Sequence, residues 1–232
     1  MSSLDHLGMV FLRVAVWVGV AVLDGLLMPS NSWAAEDYSH AETQLFMQAH
    51  FDQRPMPQVL RYQFTKTSGL EPGFQDQVTM QVSTAQTPCC QTQVAFLSGE
   101  RRMPLPDVQA ARGNPVILHV LERDIREMQR LTQGQATYFR KRIRQALYQG
   151  AQEQTLQIRY KGQSVAAQSF EIAPYQDDPL RARLGAWADK RYVFILSKAV
   201  PGTLVAIRSW LPSSATPDKP WQETLLLEGV AL

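Results

Sequence analysis

Apolar residues recur along this chain with two different periods. From Leu60 the pattern is alternation: Leu60, Tyr62 and Phe64 are interleaved with Arg61, Gln63 and Thr65. A period of two sends successive side chains to opposite faces, so this stretch reads as a half-buried β-strand. Gln77–Ser83 alternates through Val78, Met80 and Val82, and Gln91–Leu97 makes a third strand with Val94 and Phe96 on one face. Ser68-Gly69 and Glu71-Pro72-Gly73 mark the turn between the first two.

In the middle of the chain the period lengthens. Ile117, Leu121, Ile125, Met128 and Leu131 recur at three- and four-residue steps, the spacing of one helical face. Asn114 suits the cap and Pro115 the first turn, where no amide proton is needed. Gly134 closes this helix. A second helix follows over Gln135–Tyr148, with Ala136, Phe139, Ile143 and Leu147 as its apolar stripe and Gly150 as its stop.

Alternation then resumes through Leu156, Ile158 and Tyr160. Lys161-Gly162 turns the chain into Gln163–Ile172. Pro174 to Pro179 reads as a loop in which Asp177-Asp178 forms an exposed turn. A short helix is expected over Leu180–Ala188, with Leu184 and Trp187 inward. Arg191–Leu196 and Leu204–Leu211 form a hairpin around Val200-Pro201-Gly202, and Glu223–Glu228 is a last strand. Ahead of all this, residues 36–50 suit one short helix, which Pro55 and Pro57 end. Strands, a central helical pair and strands again define an α+β domain. The expected architecture is a curved, mainly antiparallel sheet, at its extreme an incomplete barrel, packed against the two central helices. A flat sheet of seven or eight strands with both helices on one face is the competing arrangement.

The first residues have a different character. Arg13 precedes an uncharged run from Val14 to Leu23, and Ser32-Trp33-Ala34 offers small residues where a signal peptidase cuts. The run is short for a membrane span and Asp24 interrupts it. Residues 1–34 therefore read as a signal peptide and residues 35–232 as one exported domain, located in the periplasm. An uncleaved anchor is the alternative. No cysteine lies near the cut, so lipid anchoring there is not expected. The mature form is expected to be soluble or peripherally membrane-associated. At 45% hydrophobic and 19% charged the chain has the composition of a folded core, and its net charge of +2 does not call for nucleic acid.

Candidate chemistry is sparse. Cys89 and Cys90 are adjacent, so a strained mutual disulfide, a link to another chain or two buried thiols are the options. The histidines have no second metal ligand at a useful spacing, and no Gly-rich nucleotide loop or serine-nucleophile elbow occurs, so neither metal nor cofactor is expected. The first central helix carries the pairs Glu122/Arg126 and Arg123/Glu127, which read as a self-neutralising surface. The second carries Arg140, Lys141, Arg142 and Arg144 with no acid of its own. Arg130, Arg140, Lys141 and Arg144 are the candidates for an anionic head group or an acidic partner. Tyr62, Phe64, Phe96, Tyr192 and Phe194 are the candidates to line an apolar cavity, should the curved sheet be incompletely filled. The functional expectation is a non-enzymatic periplasmic binding or carrier-like protein. Its ligand would be a lipid or other apolar molecule, or a segment of an envelope protein. A structural or assembly partner in the envelope and an exported enzyme of unfamiliar type are the alternatives.

Overall fold

The strand-forming alternation produces a single antiparallel sheet of nine strands. The structure, a computed structural model, describes residues 38–51, 58–83, 90–108, 111–213, 215–216 and 220–232. In chain order the elements are α1 (His40–Glu42, continued by a wider turn over Thr43–Met47), β1 (Gln58–Ser68), β2 (Phe74–Ser83), β3 (Gln91–Phe96), α2 (Val116–Thr132), α3 (Ala136–Gly150), β4 (Gln152–Tyr160) and β5 (Gln163–Ile172). Then come α4 (Arg181–Leu184), β6 (Arg191–Leu196), β7 (Leu204–Trp210), β8 (Trp221–Leu227) and β9 (Val230–Ala231). The strands lie in the order β3-β2-β1-β8-β7-β6-β5-β4-β9. All belong to the unit Asp37–Leu232. The expected signal peptide, residues 1–34, lies outside the described residues.

The fold is the expected α+β architecture, with α2 and α3 against one face of a sheet that does not fully close. Its curl comes from the last residues. A turn at Glu228 and Gly229 carries the chain from β8 across to β4, where Val230 pairs with Tyr160 and Ala231 with Arg159. The Lys161 amide donates to the Gly229 carbonyl at 2.7 Å, which joins the β4–β5 turn to this hook. Gly229 has φ +84°, the left-handed region that favours glycine. Because of the curl, Ile158, Ala167, Ile195 and Ala206 are buried even though their register places them opposite the helix-facing Phe170 and Phe194.

Several boundaries differ from the sequence reading, each for a local reason. α1 starts at His40 because Ser39 and Glu42 close a capping box ahead of it. β1 continues past Thr65 because Lys66 keeps the inward alternation and finds acidic partners inside. α2 ends on Gln133, which takes the left-handed conformation (φ 57°), and not on Gly134. Gly134 serves spacing instead, since a Cβ there would stand 2.5 Å from Cζ of Phe139.

The edges of the sheet are treated differently. Along β3 the chain folds back: Thr92 and Val108 exchange backbone hydrogen bonds, Met103 N donates to Phe96 O, and Ala111 N donates to Cys90 O. Along β4, among the described residues, only Arg159 and Tyr160 are covered, by β9.

The N-terminal segment is clamped to the start of α2 by one buried asparagine. The Asn114 amide donates to Nδ1 of His50, its Nδ2 donates to the Tyr62 hydroxyl and to the Gly202 carbonyl, and its Oδ1 accepts from Val116 N. Gly113 permits this approach, since a Cβ there would lie 2.8 Å from the Leu45 carbonyl oxygen.

Candidate functional site

The face of α2 that meets the sheet carries charge as well as apolar side chains. Asp124 sits four residues along from Val120 and one from Ile125, so the helix buries it with the stripe. Its Oδ1 binds the Lys190 ammonium and its Oδ2 accepts from the Tyr192 hydroxyl at 2.6 Å. Lys190 is fully buried, and its Nζ lies 4.1 Å from the centroid of the Trp221 ring. Trp221 meets Trp187 edge to face at 5.2 Å. One step along β8, Glu223 takes Arg123 at 2.6 Å. Burial pushes the Glu223 carboxyl up, an effect that Arg123 and Lys190 only partly offset. Burial and the neighbouring Asp124 likewise push the Tyr192 hydroxyl well up.

A second cluster closes the outer end of this layer. Lys66 on β1 binds Glu71 and, at 2.7 Å, Glu127 of α2, while Arg130 holds both carboxylates from outside. Burial opposes ionisation of Glu127, but Arg130 and Lys66 outweigh it and hold this carboxyl well below the usual range.

The sequence-derived head-group residues are not brought together as a free basic face. Arg130 is engaged by Glu71 and Glu127, and Arg140 makes a bidentate contact with Glu122 at 2.7 to 3.1 Å. Lys141 is exposed, and Arg144 stands 4.0 Å from Glu42. The acids that offset α3 come from α2 and α1, which the composition of α3 alone does not reveal. Of the two expected helical pairs, Glu122–Arg126 forms at 3.6 Å, but Arg123 reaches across to Glu223 and leaves Glu127 to Lys66 and Arg130.

The five aromatic candidates are all buried on the helix-facing side. Tyr62 is tied to Asn114. The Phe64 ring packs on Phe74 and Phe96, and Phe96 stacks on His119 at 5.7 Å. Tyr192 serves Asp124, and Phe194 is fully buried. Cys90 is buried and disulfide-bonded. Cys89, the other cysteine of the sequence, lies outside the described residues.

Asp178 departs most from its expected place. It is buried beneath α3, where its Oδ1 accepts from the Tyr138 hydroxyl and its Oδ2 lies 2.8 Å from Nε of Arg142. That last approach is an ion pair, because its angle is poor for a hydrogen bond. Burial together with the bond to Asp178 raises the Tyr138 hydroxyl to about 12.

Beside Tyr138 opens a cleft of about 270 Å³. Its walls are the α2–α3 turn (Thr132 to Gln135), Tyr138 and Phe139, with Leu180, Arg183 and Leu184 across from them. The lining is aromatic and aliphatic below, with amide groups and one guanidinium at the mouth. No side-chain cap claims the first-turn amides of α3, whose dipole is positive at this end. Sequence periodicity marks Phe139 and Leu184 as core, but nothing in it marks the cleft, because the two walls are over forty residues apart. Among the described residues no group of three His, Cys, Asp or Glu side chains is placed to hold a metal ion. No known protein family and no curated protein matches this chain.

Proposed function

We propose that this chain is an exported, non-enzymatic binding protein of the periplasm. Its cleft at the α2–α3 turn takes a small amphipathic molecule, with an apolar body against Phe139, Leu180 and Leu184 and an anionic head toward Arg183. The observation that carries this reading is the lining of that cleft: apolar below, with a cation at the rim. Arg130 and Arg140 already hold carboxylates, so the head-group role moves from them to Arg183. Small-molecule sites usually measure roughly 300–1,000 Å³. A cleft of about 270 Å³ suits a short-chain or single-ring acid better than a two-chain lipid.

The non-enzymatic part rests on access. Lys190 and Asp124 are 0% and 2% exposed and are bound to each other. A group that substrate cannot touch makes a poor general acid or base. Export rests on the apolar leader. A second reading, an assembly partner in the envelope, is favoured by Leu118 and Tyr148, which stand 52% and 53% exposed on α2 and α3.

The test is native mass spectrometry of protein taken from the periplasm, followed by NMR titration with octanoate and benzoate. The expected result is a small copurifying acid, or shifts confined to Gly134, Phe139 and Leu184, with Arg183→Glu weakening the octanoate affinity by about tenfold or more. No copurifying molecule, together with no shift at the cleft at millimolar acid, overturns the reading and leaves the assembly alternative.

A further inference from the structure

The face of the sheet turned away from the helices has an unusual composition. Outward positions on β1, β2 and β3 carry six glutamines: Gln63, Gln75, Gln77, Gln81, Gln91 and Gln93. Threonine and serine fill most of the other outward positions there, and Arg61 is the single charge. Solvated sheet faces ordinarily mix charges of both signs, and 19% of this chain is charged. The amides are ordered by register. Gln63 lies opposite Gln77, and Gln81 opposite Gln93. Strands about 4.8 Å apart therefore hold these groups in a regular array.

The array continues across β8 and reaches an aromatic platform. Thr67 pairs with Gln222, and Gln222 with Trp210 on β7. Trp210 forms one wall of a cleft of about 330 Å³ whose other walls include Gln176, Asp189 and Arg191. Arg208 packs 5.0 Å from the Trp210 ring centroid, and Arg191 and Asp189 are held by Glu171 and Arg181. On the same face a groove of about 590 Å³ runs along Gln63, Gln75 and Gln77 beside Leu226 and Val230. Leu226 lies four residues along β8 from Gln222, a span of about 14 Å.

We propose that this outer face binds a neutral glycan chain, with Trp210 as the stacking platform and the glutamine array as the hydrogen-bonding track. A pyranose ring offers a patch of C–H groups on its face and hydroxyls around its rim. The patch matches an indole. Each hydroxyl is both donor and acceptor, and a carboxamide presents both functions side by side. An ionic polymer would need a cluster of one sign, whereas Arg61, Asp76 and Glu228 along the groove and Arg208, Arg191 and Asp189 at the platform mix both. A peptide or an acyl chain would need an open strand edge or an apolar trough, and the array has neither. The glycan surface is separate from the cleft at the α2–α3 turn, so either proposal can fail without the other.

Isothermal titration and NMR of the full chain with cellohexaose and chitohexaose distinguish a plain hexose chain from an N-acetylhexosamine chain. Polygalacturonate serves as the charged control. One neutral series should shift the Trp210 indole and the Gln63 and Gln77 side-chain amides, and the control should not. Trp210→Ala should weaken binding at least tenfold. Gln63→Ala with Gln77→Ala should reduce hexaose affinity to that of the disaccharide, with circular dichroism unchanged in both variants. Absence of binding by either neutral series at millimolar concentration, preference for the charged control, or undiminished binding by folded Trp210→Ala overturns the proposal.

Discussion

Asn114 shows how few atoms fix the start of α2. Its side chain reaches β1, the β6–β7 connection and the first helical amide at once, and its own amide fixes the tautomer of His50. With Nδ1 accepting from Asn114 and Nε2 donating to the Gln44 carbonyl, His50 is neutral. Burial lowers its pKa below the ordinary 6.5, and the bond to Gln44 only partly restores it. His119, beside Pro115 O and the Phe96 ring, is lowered by burial as well. The unfolded chain therefore takes up these two protons at a higher pH than the folded one. Their contribution to stability is intact above about pH 6.5, and below it falls by up to about 1.4 kcal/mol per histidine per pH unit until the folded rings protonate. Glu223 works in the opposite direction, because a carboxyl raised in the fold favours the folded state at low pH. Between pH 7.5 and pH 5 this opposing effect falls in the same window as that of the histidines, so His119→Leu, which leaves Glu223 in place, isolates the histidine part. Urea midpoints should drop across this window, and His119→Leu should flatten the drop while changing stability little at pH 7.5. A pH dependence of the midpoint that His119→Leu leaves unchanged would contradict the neutral, buried ring.

At the scale of elements, the α2–α3 turn sets both the helix pair and the cleft. Gln133 takes the left-handed conformation at a cost of roughly 1 kcal/mol that glycine avoids. Gly134, next to it, is needed for space against Phe139. The two positions should respond oppositely. Gln133→Gly should stabilise the protein by about 0.5–1 kcal/mol, and Gly134→Ala should destabilise it by about 1–3 kcal/mol through strain on a fully buried ring. Chemical denaturation of the two variants checks both signs. The case also marks what the sequence could convey. Helix periods, caps and alternation belong to neighbouring residues, so α2, α3 and most strands are legible from them, and Gly134 marks the right turn for the wrong reason. The ion pairs of Asp124, Glu223 and Lys66 are not legible in this way. Lys190 lies 66 residues from Asp124 and Lys66 lies 61 from Glu127, and no local period records a partner at that range. The same holds for Asp178, a loop acid until α3 covers it, and for the cleft, whose walls meet only after the sheet has formed.

For the molecule as a whole, the decisive feature is how the sheet is closed. The β3 edge is covered by returning chain, and the β9 hook covers only the last two residues of β4. Lys161 and Gly162, both at positive φ, form a two-residue hairpin turn between Tyr160 and Gln163. Those two residues are then a hydrogen-bonded pair, and alternation makes Ile158, Leu156 and Gln154 bond to β5 while Gln157, Thr155 and Glu153 direct their backbone groups outward. Among the described residues no backbone partner meets those three, and all three are exposed. An edge strand tolerates proline only where its amide faces solvent. Thr155→Pro should therefore cost about 1 kcal/mol or less, since it removes no ladder bond. Leu156→Pro should cost about 3 kcal/mol or more, because it breaks the bond to Ala167 and displaces a half-buried side chain beside it. Urea titration of the pair reads the difference directly. Equal destabilisation would mean that the β4 edge is paired in solution, and the sheet would then be closed along a seam that the β9 hook alone does not make.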